Sequence, residues 1–137
     1  MQWLWQVKRN LFGMEDEAQV MIVLSGTSDV GKSTAIAKLI EPLVKFMMPI
    51  NLQTLTTDKF SWSLLCDGAL IGVCNELAGA GKVDMEVLKT LITDRVIAVR
   101  RMYRDGTTRA YIRVSFIGTT NEPLGIRLVD PTGMRRF

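Results

Sequence analysis

One segment limits what this chain can fold into more than any other. Gly26-Thr27-Ser28-Asp29-Val30-Gly31-Lys32-Ser33 matches G-x-x-x-x-G-K-[ST] at every defined position. Before it stands an unbroken apolar run, Val20 to Leu24, the pattern of a strand covered on both faces. After it, Ala35, Ile36, Leu39, Ile40, Leu43 and Val44 recur at helical spacing, and Pro42 should kink or end that helix. Strand, glycine loop and helix in this order form a phosphate cradle. The glycines let the backbone curl so that its N–H groups converge on phosphate oxygens, and the helix points its positive end at them. Lys32 would set a cation beside the β- and γ-phosphates, and Ser33 would offer a hydroxyl to Mg²⁺. Residues Gly26 to Thr34 are therefore the candidate nucleotide-binding set. The bland reading is an ordinary glycine turn between strand and helix.

Composition excludes several other chemistries. The chain has no histidine and only two cysteines, Cys66 and Cys74, so zinc fingers, Cys/His nucleophiles and histidine acid–base catalysis are out. Both cysteines lie in apolar runs and read as buried free thiols, which fits a reducing, cytoplasmic setting. No apolar run approaches the roughly 18 residues of a membrane span, and Met1 to Leu11 lacks the layout of a secretory signal. With 137 residues and ordinary globular composition, the chain reads as one domain.

Charge is uneven. Residues 1–94 carry a net −3 and residues 95–137 a net +6, and every basic residue of the later part is arginine. Such a basic third suits an anionic partner, phosphate or nucleic acid; a solvated arginine surface is the alternative.

The remaining chain alternates strand-like and helix-like segments. Trp3 to Leu11 has helical spacing at Trp3, Leu4, Val7 and Leu11 and stops near Gly13. Leu52 to Leu55 is compatible with a strand, and Phe60 to Leu65 with a short helix. Ala69 to Cys74 reads as a second buried strand, ending in Asn75-Glu76. Asp84 is the expected N-cap of a helix carrying Val87, Leu88, Leu91 and Ile92. Val96 to Tyr103 and Thr108 to Val114 flank Arg104-Asp105-Gly106-Thr107, a strong hairpin signal. Val114 to Gly118 reads as a third buried strand, followed by Thr119-Thr120-Asn121-Glu122-Pro123. This alternation predicts an α/β fold: a mostly parallel sheet with helices on both faces and an inserted β-hairpin.

Three strand-end features carry chemistry. Glu76 is placed to polarise an attacking water, and Asn75 stands where an aspartate is usual beside bound Mg²⁺. Asn121 can reach a γ-phosphate and its water, although Asn and Pro also favour plain turns. Arg135 and Arg136 can stabilise transition-state charge or form a solvated tail.

Taken together, GTSDVGKST, ALIGVCNEL, the basic hairpin, FIGTTNEP and DPTGMRRF resemble the ATPase core of the virulence-associated protein E family and related phage and plasmid primase-helicases. These are superfamily 3 helicases of the AAA+ class, so the resemblance implies a three-layer P-loop NTPase sandwich. It covers about Trp5 to Phe137. It implies that Gly26 to Ser33 is the Walker A loop, Glu76 the Walker B glutamate, Asn121 sensor 1, and Arg135 or Arg136 an arginine finger acting on a neighbouring subunit. Ser33, Asn75 and Glu76 become the expected Mg²⁺ set. Asn75 departs from the family's usual Asp and resembles the arrangement in poxvirus-type primase-helicases. The hairpin becomes a DNA-contacting element through Arg100, Arg101, Tyr103, Arg104 and Arg109. Proteins of this kind usually carry a primase or other domain before this core and more chain after it. Residues 1–137 are thus expected to be a single core cut from, or surviving from, a longer protein.

The resulting expectation is an ATP- and Mg²⁺-dependent DNA helicase or translocase core. It would be phage- or plasmid-encoded, act in the bacterial cytoplasm, work as a ring (a hexamer by analogy) on single-stranded DNA, and pair with a primase domain or partner. Two rivals remain: a truncated or degenerate P-loop protein that binds nucleotide without helicase activity, and a non-helicase P-loop switch or kinase.

Overall fold

The sheet is organised by a strand that arrives late in the chain. β6 (Ser115–Thr120) inserts between β1 (Ile22–Ser25) and β3 (Ile71–Cys74), parallel to both, and β2 (Met47–Ile50) adds outside β3. The structure, a computed structural model, describes residues 2–14, 19–57, 61–66, 68–77, 80–94, 96–100 and 107–122. The helices are α1 (Gln2–Leu11), α2 (Lys32–Ile40), α3 (Leu52–Thr57), α4 (Ser61–Cys66) and α5 (Lys82–Thr93). β4 (Val96–Arg100) and β5 (Thr107–Tyr111) form a separate antiparallel pair.

The mixed α/β architecture with a mostly parallel sheet is as expected. Alternation along the central strands sends side chains to two cores. Ile71, Val73 and Ile117 pack with Trp3, Val7, Ile36 and Ile40 of α1 and α2. Cys74 and Phe116 pack on the other side with Leu52, Leu55, Leu88, Leu91 and Ile92, joined by Ile97, Val99 and Ala110 of the hairpin. β3 and β6 are buried along their whole length. β1 is only half-buried, unlike the doubly covered strand its apolar run predicts, because it is an edge strand among the described residues.

The central strands approach closely. A Cβ on Gly118 would lie 2.9 Å from the Cys74 carbonyl oxygen and 2.8 Å from the Met21 methyl carbon, and one on Gly72 would lie 2.9 Å from the Phe116 ring. Each contact is too short for a real Cβ, so both strands depend on having no side chain there.

Several local expectations need correction. Leu52 to Leu55 is helical: β2 ends at Ile50, and the Asn51 carboxamide oxygen accepts the N–H groups of Gln53 and Thr54, capping α3. α5 begins at Lys82, so Asp84 is not the N-cap but sits one turn in, accepting the Gly81 N–H at 2.8 Å and the Thr56 hydroxyl at 2.7 Å. Pro42 does end α2, where a 3₁₀ turn over Glu41–Phe46 takes over. The Asp105-Gly106 turn lies outside the described residues.

α1 departs most from its apolar pattern. It buries Trp3, Gln6, Val7 and Asn10 while Leu4 and Leu11 face outward. The amides of Gln6 and Asn10 donate to the Ser115 hydroxyl at 3.2 and 3.0 Å, the Gln6 carbonyl accepts the Val20 N–H, and the Trp3 indole donates to the Phe116 carbonyl. These bonds fix α1 to the start of β6 and satisfy amides that would otherwise be costly to bury. Gly13, at φ 68°, closes the helix: its N–H reaches the Asn10 carbonyl and the Met14 N–H reaches that of Arg9.

Cys66 and Cys74 are free thiols. Burial pushes the Cys74 thiol from 9.0 up to about 12. The neutral thiol of the folded chain then favours folding fully below pH 9.0, and that contribution is lost as pH rises towards about 12. We expect the stability gap between wild type and Cys74→Ala, from urea unfolding, to be constant below pH 8.5 or so and to shrink above it. A gap independent of pH up to 11 or so would show that Cys74 is not held neutral.

Candidate functional site

Parallel pairing brings the ends of β1, β6 and β3 to one edge of the sheet. Ser25 pairs with Thr120 and Cys74 with Gly118, so the segments that follow these strands emerge side by side. The Gly26 N–H donates to the Thr120 carbonyl at 3.2 Å, tying the glycine loop to the end of β6. Beyond β6, the Glu122 N–H donates to the Thr120 hydroxyl oxygen, and the hydroxyls of Ser25 and Thr120 donate to the Glu122 carbonyl. This turn holds Asn121 over the loop.

The loop runs from β1 to the first turn of α2. Gly31 stands at the helix N-cap with φ 80°, a conformation that disfavours any side chain, although a Cβ there would meet nothing. Asp29 takes φ 62°, which aspartate tolerates better than most residues. Lys32 folds back over the loop. Its ammonium donates to the Gly26 carbonyl at 2.8 Å, the Thr27 carbonyl at 2.6 Å and the Asn121 carboxamide oxygen at 2.9 Å. An ammonium has three protons, and each has an acceptor here.

Asn121 continues the chain of bonds. Its NH₂ donates to the Glu76 carboxylate at 3.3 Å, so Lys32, Asn121 and Glu76 form one hydrogen-bonded line. Glu76 lies two residues past β3 at φ 55°. A bulky L-residue there costs about 1–2 kcal/mol. The buried Thr119 hydroxyl oxygen, which accepts the Glu76 N–H at 3.1 Å, helps to hold that conformation. Strain of this kind concentrates at functional sites.

These groups line a cleft of about 580 Å³ with Ser28, Asp29, Gly31, Ser33, Thr34 and Thr119. One wall carries the ammonium and the free N–H groups of the α2 N-terminus; the other carries the Glu76 carboxylate. Asn75 is not on this cleft. It lines an adjoining cavity of about 330 Å³ with Asn51 and Gln53, and Glu76 borders both. Ser33 and Glu76 are therefore brought together, and Asn75 is not brought to Ser33. Among the described residues no cluster of three or more Cys, Asp or Glu side chains could hold a metal unaided. One hydroxyl and one carboxylate do suit Mg²⁺, which keeps several waters and is bound jointly with substrate phosphates.

Arg109 is exposed on β5 and distant in sequence from the loop. Arg101, Tyr103, Arg104, Arg135 and Arg136, and the Arg100 side chain, lie outside the described residues. Thr119 was not foreseen as the support of Glu76; the available signal was a hydroxyl two residues before Asn121.

The profile of the virulence-associated protein E-like domain matches residues 4–137. The chain belongs to this family. No curated protein sequence matches it. Among solved structures, the fold is that of the C-terminal region of NrS-1 in its apo form. One such structure superposes with a TM-score of 0.58 at 19% identity, covering 89% of this chain and 33% of that one. A second gives 0.56 at 18% identity, covering 88% and 28%. The chain thus spans about a third of the solved chains it resembles. No helix among the described residues is long and apolar enough to cross a membrane.

Strain at Glu76 gives a direct test of whether the carboxylate is kept for function. Its side chain is exposed, so Glu76→Gly removes little packing. The variant should match wild-type stability or exceed it by up to about 1 kcal/mol in urea unfolding. Destabilisation by more than about 1 kcal/mol would mean that Glu76 is there to hold the fold.

Proposed function

We propose that this virulence-associated protein E-like domain is the ATPase core of a DNA helicase or translocase, acting in replication of a phage or plasmid. The reading rests above all on the line Lys32–Asn121–Glu76 across one cleft at the N-terminus of α2. It gives a cation for phosphate, an amide able to sense it and a carboxylate able to orient water, all within hydrogen-bond reach. On this reading Gly26 to Thr34 form a Walker A loop of the AAA+ type. ATP phosphates would take over the Lys32 protons now held by the Gly26 and Thr27 carbonyls. Ser33 and Glu76 would hold Mg²⁺ through its waters, and the metal would neutralise developing phosphate charge.

Family membership and the NrS-1 fold support a replication role. The DNA would be a single strand contacted through the arginines of the β4–β5 hairpin, and the active form a ring in which Arg135 or Arg136 completes a neighbour's site. Since the chain spans a third of its structural relatives, a primase domain or partner and the ring itself belong to this proposal.

A second reading is nucleotide binding without turnover. It is favoured by Asn75, which adds no charge and faces the adjoining cavity. Steady-state ATP hydrolysis with and without single-stranded DNA separates the two. A helicase core should hydrolyse ATP faster with DNA, and Lys32→Ala and Glu76→Gln should each lower the rate about 100-fold or more. Tight Mg²⁺-ATP binding with no turnover under any DNA condition would favour the second reading.

A further inference from the structure

The surface of α1 opposite its buried face is unusually apolar and basic. Trp5, Lys8 and Phe12 follow one another along that stripe, with Trp5 53% and Phe12 67% exposed and the Lys8 ammonium 5.4 Å from the Trp5 ring centre. The stripe leads to the Gly13 turn, and there it meets the segment that joins β5 to β6. The Arg113 guanidinium lies 3.5 Å from where a Gly13 Cβ would be, an ordinary contact distance, so it sits beside this turn. From Arg113, strand alternation carries Tyr111 and Arg109 onto the same outward face, while Ala110, Ile112 and Val114 are buried. Tyr111 is 63% exposed. Its cross-strand partner is Val96, and that of Arg109 is Ala98, so small side chains flank both and leave them uncovered. Of this surface only Arg109 belongs to the DNA-contacting set expected of the hairpin, and none of it belongs to the phosphate loop.

We propose that Trp5, Phe12 and Tyr111, with Lys8, Arg109 and Arg113 between them, form a track for single-stranded nucleic acid. Rings that alternate with cations match the alternation of base and phosphate along a single strand. The charge sign selects this occupant. Residues 2–14, 96–100 and 107–113 contain no Asp or Glu, so a phosphate backbone meets only cations there. The rings stack on bases, and Arg113, held against Gly13, joins the helix stripe to the strand stripe. The inference deepens the DNA-handling reading above and rests on it for the nature of the strand's task, but binding along this face needs no nucleotide.

The test uses the full chain, without nucleotide, titrated into a fluorescein-labelled oligothymidylate and read by anisotropy over a salt series. Phe12→Ala and Tyr111→Ala should each weaken binding about 5- to 100-fold. Arg113→Ala should reduce the salt slope by about 0.7. Trp5 fluorescence should be quenched on binding, since Trp3 is buried and Trp62 only partly exposed. Folding of each variant is checked by circular dichroism. Affinity within roughly twofold of wild type for both aromatic variants would overturn the track. So would concentration-dependent self-association that Phe12→Ala and Tyr111→Ala abolish, since the face would then be an interface between copies. DNA-stimulated ATP hydrolysis with unaltered oligothymidylate binding in these variants sinks this inference alone. Variant-sensitive binding without any hydrolysis sinks the helicase reading alone.

Discussion

Insertion of β6 between β1 and β3 is the constraint on which the rest depends. A parallel strand cannot follow its neighbour directly, so the chain completes β1, α2, β2, the small helices, β3, α5 and the hairpin before the middle position is filled. The late strand closes both cores and sets the level of every strand end. With Ser25 opposite Thr120 and Cys74 opposite Gly118, Asn121 must emerge between the glycine loop and Glu76. Gly118 and Gly72 allow that close approach, and the polar clamp from Trp3, Gln6 and Asn10 holds the strand's other end. Side chains nearly 90 residues apart in sequence thus meet without any of them being buried.

The meeting point has a definite electrostatic logic. Lys32 satisfies three protons with carbonyl-type oxygens, two of which belong to its own loop. Those oxygens are weaker acceptors than a phosphate's, because a charged acceptor strengthens the bond roughly twofold. On the proposed reading, a nucleotide would therefore compete favourably for the ammonium. Asn121 accepts from Lys32 and donates to Glu76, so a movement of the ammonium towards a phosphate would reach the carboxylate through this one amide.

Much of this was legible in the sequence because it depends on local pattern. The glycine loop, the buried runs at β3 and β6, the break at Pro42 and the arginine-rich hairpin all announce themselves within a few residues. Long-range polar contacts do not. α1 looks like an ordinary apolar helix, yet Gln6 and Asn10 face inward because Ser115 waits for their amides, and Leu4 and Leu11 turn outward as a result. Leu52 to Leu55 carries an apolar pattern short enough to suit strand or helix, and the Asn51 cap decides it. Asn75 and Glu76 are adjacent in sequence, but only Glu76, at φ 55°, lines the phosphate-loop cleft as well as the adjoining cavity. No pattern of residue types reports a backbone angle. The track across α1 and β5 was hidden for the same reason, since Arg113 and Gly13 are neighbours only in the fold.

Equilibrium binding of Mg²⁺-ATP, measured by calorimetry, tests the central claim most directly because it needs neither a ring nor DNA. Wild type and Glu76→Gln are expected to bind with similar affinity, and Lys32→Ala about 10- to 100-fold more weakly. Equal affinity for wild type and Lys32→Ala, or no binding by wild type at millimolar nucleotide, would contradict a nucleotide site built on the Lys32–Asn121–Glu76 line.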